Sequence, residues 1–163
     1  MIRHFTMHAL AIGAWVLGSP LANADAGDDQ IHLRQVDAEF DDVSFALESA
    51  IENRGYVIDY HGAIGEMLER TAQDVGEGPS PYLKADTWQF CSSLLSRRAM
   101  QADPTNIAFC PYVLFAYETS AEPGTVVVGF RNHGDDDSSG GDSQRALEAV
   151  DRELADIVAE AVE

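Results

Sequence analysis

The sequence predicts an α+β fold in one domain: a curved, mainly antiparallel sheet packed by helices. Three observations carry this. Near the start, alternation at Ile31 to Val36, helical spacing at Val43, Leu47, Ala50 and Ile51, and the run YVIDY at Tyr56 to Tyr60 give strand, helix, strand in close succession. In the middle, the apolar run Ile107 to Tyr117 leads through Glu118 to Gly124, where Pro123-Gly124 marks a hairpin turn, into a return strand at Thr125 to Arg131. At the end, Leu147, Val150, Leu154, Ile157, Val158 and Ala161 fall on one stripe of an amphipathic helix. A chain of 163 residues with 45% apolar side chains is enough for one hydrophobic core.

Met1 to Ala24 has the composition of a secretory signal, with Arg3 in a short n-region, an apolar run from Ala9 to Gly18 and Ala22-Asn23-Ala24 as the cleavage site. That run falls short of the roughly 20 residues that span a bilayer, and no cysteine follows it for lipid attachment. Cleavage after Ala24 or Ala26 would leave a periplasmic or secreted protein with no membrane association. Removing Met1 to Ala24 takes away Arg3 alone among charged side chains, so the net charge goes from -18 to -19.

Residues 25-35 read as a flexible acidic start running into the first strand. Asp41 or Asp42 caps the first helix and Gly55 ends it. His61-Gly62 precede a second helix carrying Ile64, Met67, Leu68 and Thr71, and Gly76, Gly78, Pro79 and Pro81 make an irregular loop. Tyr82 to Phe90 is a third strand. Leu94, Leu95 and Ala99 then recur at helical spacing until Asp103-Pro104, because a residue before proline is pushed out of the α region. After a turn at Pro104 to Asn106, a strand begins at Ile107. It has two apolar faces, with Ile107, Phe109, Val113 and Phe115 on one and Ala108, Cys110, Tyr112 and Leu114 on the other, as befits the middle of a sheet. Pro111 donates no ladder hydrogen bond, so the backbone beside Cys110 is a bulge, a strand start or an open place. Residues 132-143 form an acidic Gly/Ser/Asp loop, and Asp142 or Ser143 caps a last helix over 144-163.

With 28 Asp and Glu against 10 Lys and Arg, the chain has no basic footprint for phosphate recognition, which disfavours nucleic acid and anionic membranes as partners. A basic protein or a cation is compatible with such a charge.

Two cysteines with eighteen residues between them admit two readings in an exported protein. One is a Cys91-Cys110 disulfide, stabilising by roughly 3 kcal/mol. The other is a thiolate at Cys110 or Cys91 that ligates haem iron or a soft transition metal, since Cys-Pro occurs at some haem-thiolate sites. His61, Met67 and Met100 would then be the remaining soft donors. Arg97 and Arg98, beside Ser92, Ser93 and Ser96, are candidates for a small anion. His133 with Asp135, Asp136, Asp137 and Asp142 could hold a hard cation such as calcium, although the spacing is not that of an EF-hand. Glu66 and Glu69, with His61, could do acid-base work in a cleft. No nucleophile elbow, phosphate loop, zinc-protease helix or catalytic triad order is present.

At VSFALESAIENRGYVIDY, IGEMLERT, FCSSLLSRRAMQADPTNIAFCPYVLFAYE and VVVGFR the chain resembles the family called domain of unknown function 302, over Val36 to about Arg131. The resemblance implies a small α+β domain, similar to a curved antiparallel sheet packed by helices, a homodimer, and no established reaction. The leader, the aspartate loop and the C-terminal helix are additions to that pattern. The foremost functional expectation is an exported binding module that holds a metal, haem or small ligand near the cysteines in a periplasmic redox or sulfur pathway, with a redox partner there. The second is a structural or interaction protein with a Cys91-Cys110 disulfide, and the third a small enzyme using His61 and Glu66.

Overall fold

The second half of the apolar run, from Tyr112, lies at the centre of the sheet as expected. In the computed structural model, which describes residues 30-134 and 141-163, five antiparallel strands run in the order β1 (Ile31–Asp37), β5 (Thr125–Arg131), β4 (Tyr112–Thr119), β3 (Tyr82–Phe90), β2 (Ile58–Ala63). The signal-like leader and the first three aspartates of the acidic loop lie outside the described residues. The sheet is open, with β1 and β2 at its edges. The expected strand, helix, strand opening is present, but three later strands insert between its two strands.

Four helices complete the chain: α1 (Phe40–Asn53), α2 (Ile64–Val75), α3 (Ser93–Ala102) and α4 (Asp142–Ala161). On α1, Val43, Leu47, Ala50 and Ile51 are buried as their spacing requires, and on α4 all six stripe residues are buried. These two helices meet alternate residues of the strands: Trp88 and Phe90 of β3, Tyr112, Leu114 and Ala116 of β4, Val126, Val128 and Phe130 of β5. Each large apolar side chain taken out of water there contributes about 1.5–3 kcal/mol.

Local chemistry sets the element ends. Gly55 has φ +78° just past the α1 terminus, a left-handed cap open to glycine. Asp41 and Asp42 lie inside the first turn of α1, favourable to the helix dipole, while Glu39 holds the cap position without a side-chain bond. The α3 cap is Ser92, whose hydroxyl accepts from the Leu95 N–H.

Besides the α1 cap, the last helix starts at Asp142 with Gly141, not Asp142 or Ser143, at its cap position, and three further expectations need correction. The strand does not begin at Ile107: Pro104–Phe109 is a 3-10 turn and β4 starts at Tyr112. Asp103 accepts from the Thr105 N–H and hydroxyl, and the buried Asn106 amide donates to the Ala99 carbonyl and the Ser143 hydroxyl, so side chains hold the turn closed. Next, β2 runs from Ile58 rather than Tyr56 and takes in His61 and Gly62, because Tyr56 stacks on Phe90 and donates to Glu153. Finally, α2 buries Gly65 and Ala72 rather than its larger residues. Gly65 permits this, since a Cβ there would sit 2.9 Å from the Ala85 nitrogen.

Candidate functional site

Successive strand residues point to opposite faces, so the face opposite α1 and α4 carries the other half of every strand. From the register it carries Ile31, Leu33, Gln35 and Asp37 of β1, Thr125, Val127, Gly129 and Arg131 of β5, Val113, Phe115 and Tyr117 of β4, and Ala85, Thr87 and Gln89 of β3; of these Val127, Gly129 and Ala85 are buried, Ala85 against Gly65 of α2. Among the alternating positions of the β1, β5, β4 and β3 ladders only Asp37 and Arg131 are charged, at opposite ends. Ile31 and Leu33 remain 42% and 44% exposed, which is high for aliphatic side chains in a sheet.

Gly129 shows how closely this face is built. A Cβ there would strike the His32 carbonyl and come within 2.9 Å of both Leu33 and Phe115. The Phe115 ring lies across its cross-strand partner and stacks with Tyr117 at 6.2 Å. Tyr82 adds a third ring, 5.4 Å from Tyr117.

The face is walled at two ends, and Phe115 borders a cavity at each. One cavity, about 350 Å³, is bounded by Ile31, Leu33, Ile64, Ala85 and Tyr117. The other, about 260 Å³, lies between Arg131 and His133 on one side and Phe109, Pro111 and Val113 on the other. His133 is nearly enclosed and packs edge-on against Phe109 and Tyr112. Its Nδ1 stands 2.6 Å from Asp151 Oδ1 on α4. The same carboxylate accepts the backbone N–H groups of His133 and Gly134 at 2.9–3.0 Å, tying the end of β5 to α4.

Cys91 and Cys110 are joined in a disulfide, with Cα atoms 6.4 Å apart, inside the range a disulfide requires. It links the end of β3 to the segment before β4. The Ser96 hydroxyl lies 3.0 Å from the Tyr112 hydroxyl and 3.8 Å from Cys110 Sγ. Burial pushes the Tyr112 phenol above its ordinary pKa, and the Ser96 hydrogen bond partly offsets that rise.

The remaining sequence candidates do not assemble. Both sulfurs are committed to each other, so neither is a thiolate, and the soft-donor set of Cys110, His61, Met67 and Met100 does not gather. Met67 is exposed on α2, and Met100 is half-buried on α3. No group of three His, Cys, Asp or Glu among the described residues has the spacing for a metal ion. His61 instead stacks on Trp88 at 5.0 Å, with Nε2 3.0 Å from Asp86 and Nδ1 3.4 Å from Glu48, while Glu48 accepts from the Trp88 indole at 2.9 Å. Its carboxylate neighbours are therefore Glu48 and Asp86, not Glu66. Glu69 accepts from the Ser80 N–H instead. Arg97 and Arg98 are exposed on α3 and make no ion pair with the described residues. Of the hard-cation candidates, Asp135, Asp136 and Asp137 lie outside the described residues, Asp142 pairs with Arg145, and His133 is held by Asp151.

Sequence reasoning missed the open face and the His133–Asp151 pair. Alternation at Val113, Phe115 and Tyr117 was the available signal for the first. The second joins residues eighteen apart through no periodic pattern.

No family model matches the chain, and no curated protein matches it. Among solved structures it is similar to the crystal structure of an uncharacterized conserved protein DUF302 from Bacillus stearothermophilus, with a TM-score of 0.65 and 16% identity, over 80% of this chain and 97% of that one. The fold is that of a DUF302 protein. The match bears on architecture: the antiparallel sheet with its helices is the shared part, and 16% identity transfers no residue role.

Proposed function

We propose that the protein is an exported binding module whose binding surface is the open face of its sheet, with the Cys91-Cys110 disulfide acting as a staple. One observation carries the reading. In a chain with 28 carboxylate side chains, Asp37, at one end, is the only carboxylate at the β1, β5, β4 and β3 ladder positions of this face, where Ile31, Leu33, Val113, Phe115 and Tyr117 stand among the uncharged Gln35, Thr87 and Gln89 and border two cavities. Contiguous apolar surface of this kind marks a place where something binds, and covering it contributes about 25 cal/mol for each Å² removed from water. Export is supported by the leader composition and by the disulfide, which persists in oxidising compartments.

A hydrophobic fluorescent dye such as anilinonaphthalene sulfonate tests the surface. Its fluorescence is expected to rise with the mature protein, to be lost in Phe115→Glu, and to persist in Leu94→Glu, which alters an exposed apolar residue on α3. The reverse pattern would remove the open face from consideration. A second copy of the chain is the competing occupant, the homodimer that the family resemblance implies. Two copies, each at a net charge of -19 after loss of the leader, repel one another, most strongly at low salt. A dimer in sedimentation equilibrium that dissociates on Phe115→Glu would assign the face to self-association.

A further inference from the structure

We propose that the Arg131 end of the open face is a site for a small organic carboxylate: an apolar body seated on Val113 and Phe115, with its charge at Arg131 and His133. The inference rests on the open face being the binding surface, and adds the chemical class of what binds.

The ligand class follows from the walls. Phe109, Pro111, Val113 and Phe115 offer no side-chain hydrogen-bond donor, so a bare inorganic anion would lose its hydration there with little in return. A wholly neutral molecule would leave the guanidinium of Arg131 unused at the rim. Arg131 makes no ion pair with the described residues, in a chain where acids outnumber bases nearly three to one. Its planar fork matches a carboxylate. A phosphate dianion would need more donors than one arginine and one imidazole supply.

His133 is built for a fixed role. Asp151 accepts from Nδ1 at 2.6 Å and from two backbone N–H groups, so the ring cannot turn and its Nδ1 proton is committed. The side chain is 5% exposed, and Nε2 has no hydrogen-bond partner among the described residues. The ring borders the same cavity as Arg131. A carboxylate at Arg131 therefore binds with uptake of one proton from solution, which its second oxygen shares with Nε2. The cavity volume, about 260 Å³, lies just below the usual range for drug-sized ligands, which suits an acid the size of benzoate or hexanoate.

The experiment titrates the full mature protein with benzoate, hexanoate and the neutral benzyl alcohol, following amide and His133 ring signals by NMR. Benzoate is expected to bind at least tenfold more tightly than benzyl alcohol and to shift the His133 ring resonances. Arg131→Gln, at an exposed position, should remove that preference with the amide spectrum of the folded protein retained, and Arg97→Gln should leave it intact. Equal affinity for benzoate and benzyl alcohol in the wild-type protein would overturn the carboxylate assignment while leaving the open face as the binding surface. If neither acid binds although the dye does, the inference falls alone. If the dye also fails to bind, the underlying reading falls with it.

Discussion

Neighbouring residues of β4 meet opposite fates. Leu114 and Ala116 are sealed under α1 and α4, whereas Val113, Phe115 and Tyr117, one position away, lie on the side that faces away from those two helices, where only α2 packs, against β3, and stay half-buried. Both sets are apolar, so hydrophobicity alone does not separate core from surface. What separates them is where the two long amphipathic helices go: both bury their stripes against the same side of the sheet. The first set serves stability, and the second is the surface proposed above for binding.

Mutation should expose that difference. Leu114→Ala leaves a cavity in the sealed side and is expected to destabilise by about 3–5 kcal/mol, read from urea unfolding, while Phe115→Ala lowers stability by only about 1 kcal/mol and weakens ligand binding instead. Equal losses would erase the distinction between the faces. Next in size, replacing both cysteines by alanine should cost about 3 kcal/mol, since the bridge closes a loop with a sequence separation of 19. Dye binding at the open face should survive that change, and its loss would move the function back to the cysteines. Smallest, Arg97→Glu with Arg98→Glu should alter stability by no more than about 1 kcal/mol, as expected for exposed side chains with no ion pair among the described residues, and leave ligand binding unchanged.

Much of the architecture could be read from the residues. Strands β3 and β5 begin where Pro81 and Gly124 interrupt the chain and are rich in β-branched and aromatic residues, so both were legible at their full lengths, though the register shift between Tyr82 and Lys84 was not. The α4 stripe was legible because all six apolar positions obey one period. At Ile107 to Phe109 the apolar pattern suited a strand equally well, and the outcome was decided by Asp103, Thr105 and Asn106, polar side chains whose partners lie outside the pattern. The order of strands was hidden too, since a strand, helix, strand signal does not tell how many strands insert between.

The site was less legible than the fold for the same reason. Period two told that Val113, Phe115 and Tyr117 share a face, but their exposure depends on α1 and α4 choosing the other one. His61 with Glu48 and Asp86, and His133 with Asp151, each combine residues from separate elements. Local spacing therefore pointed to Glu66 for His61 and to the aspartate loop for His133, both sequence neighbours rather than spatial ones.

The most direct measurement is amide chemical-shift mapping of the isotope-labelled mature protein during a benzoate titration. Perturbations concentrated at Val113 to Tyr117 of β4 and Val127 to His133, with the outward surfaces of α1 and α3 unaffected, are the expected result. Shifts centred on Cys91, Arg97 and Arg98, with β4 and β5 silent, would contradict the open face as the binding surface.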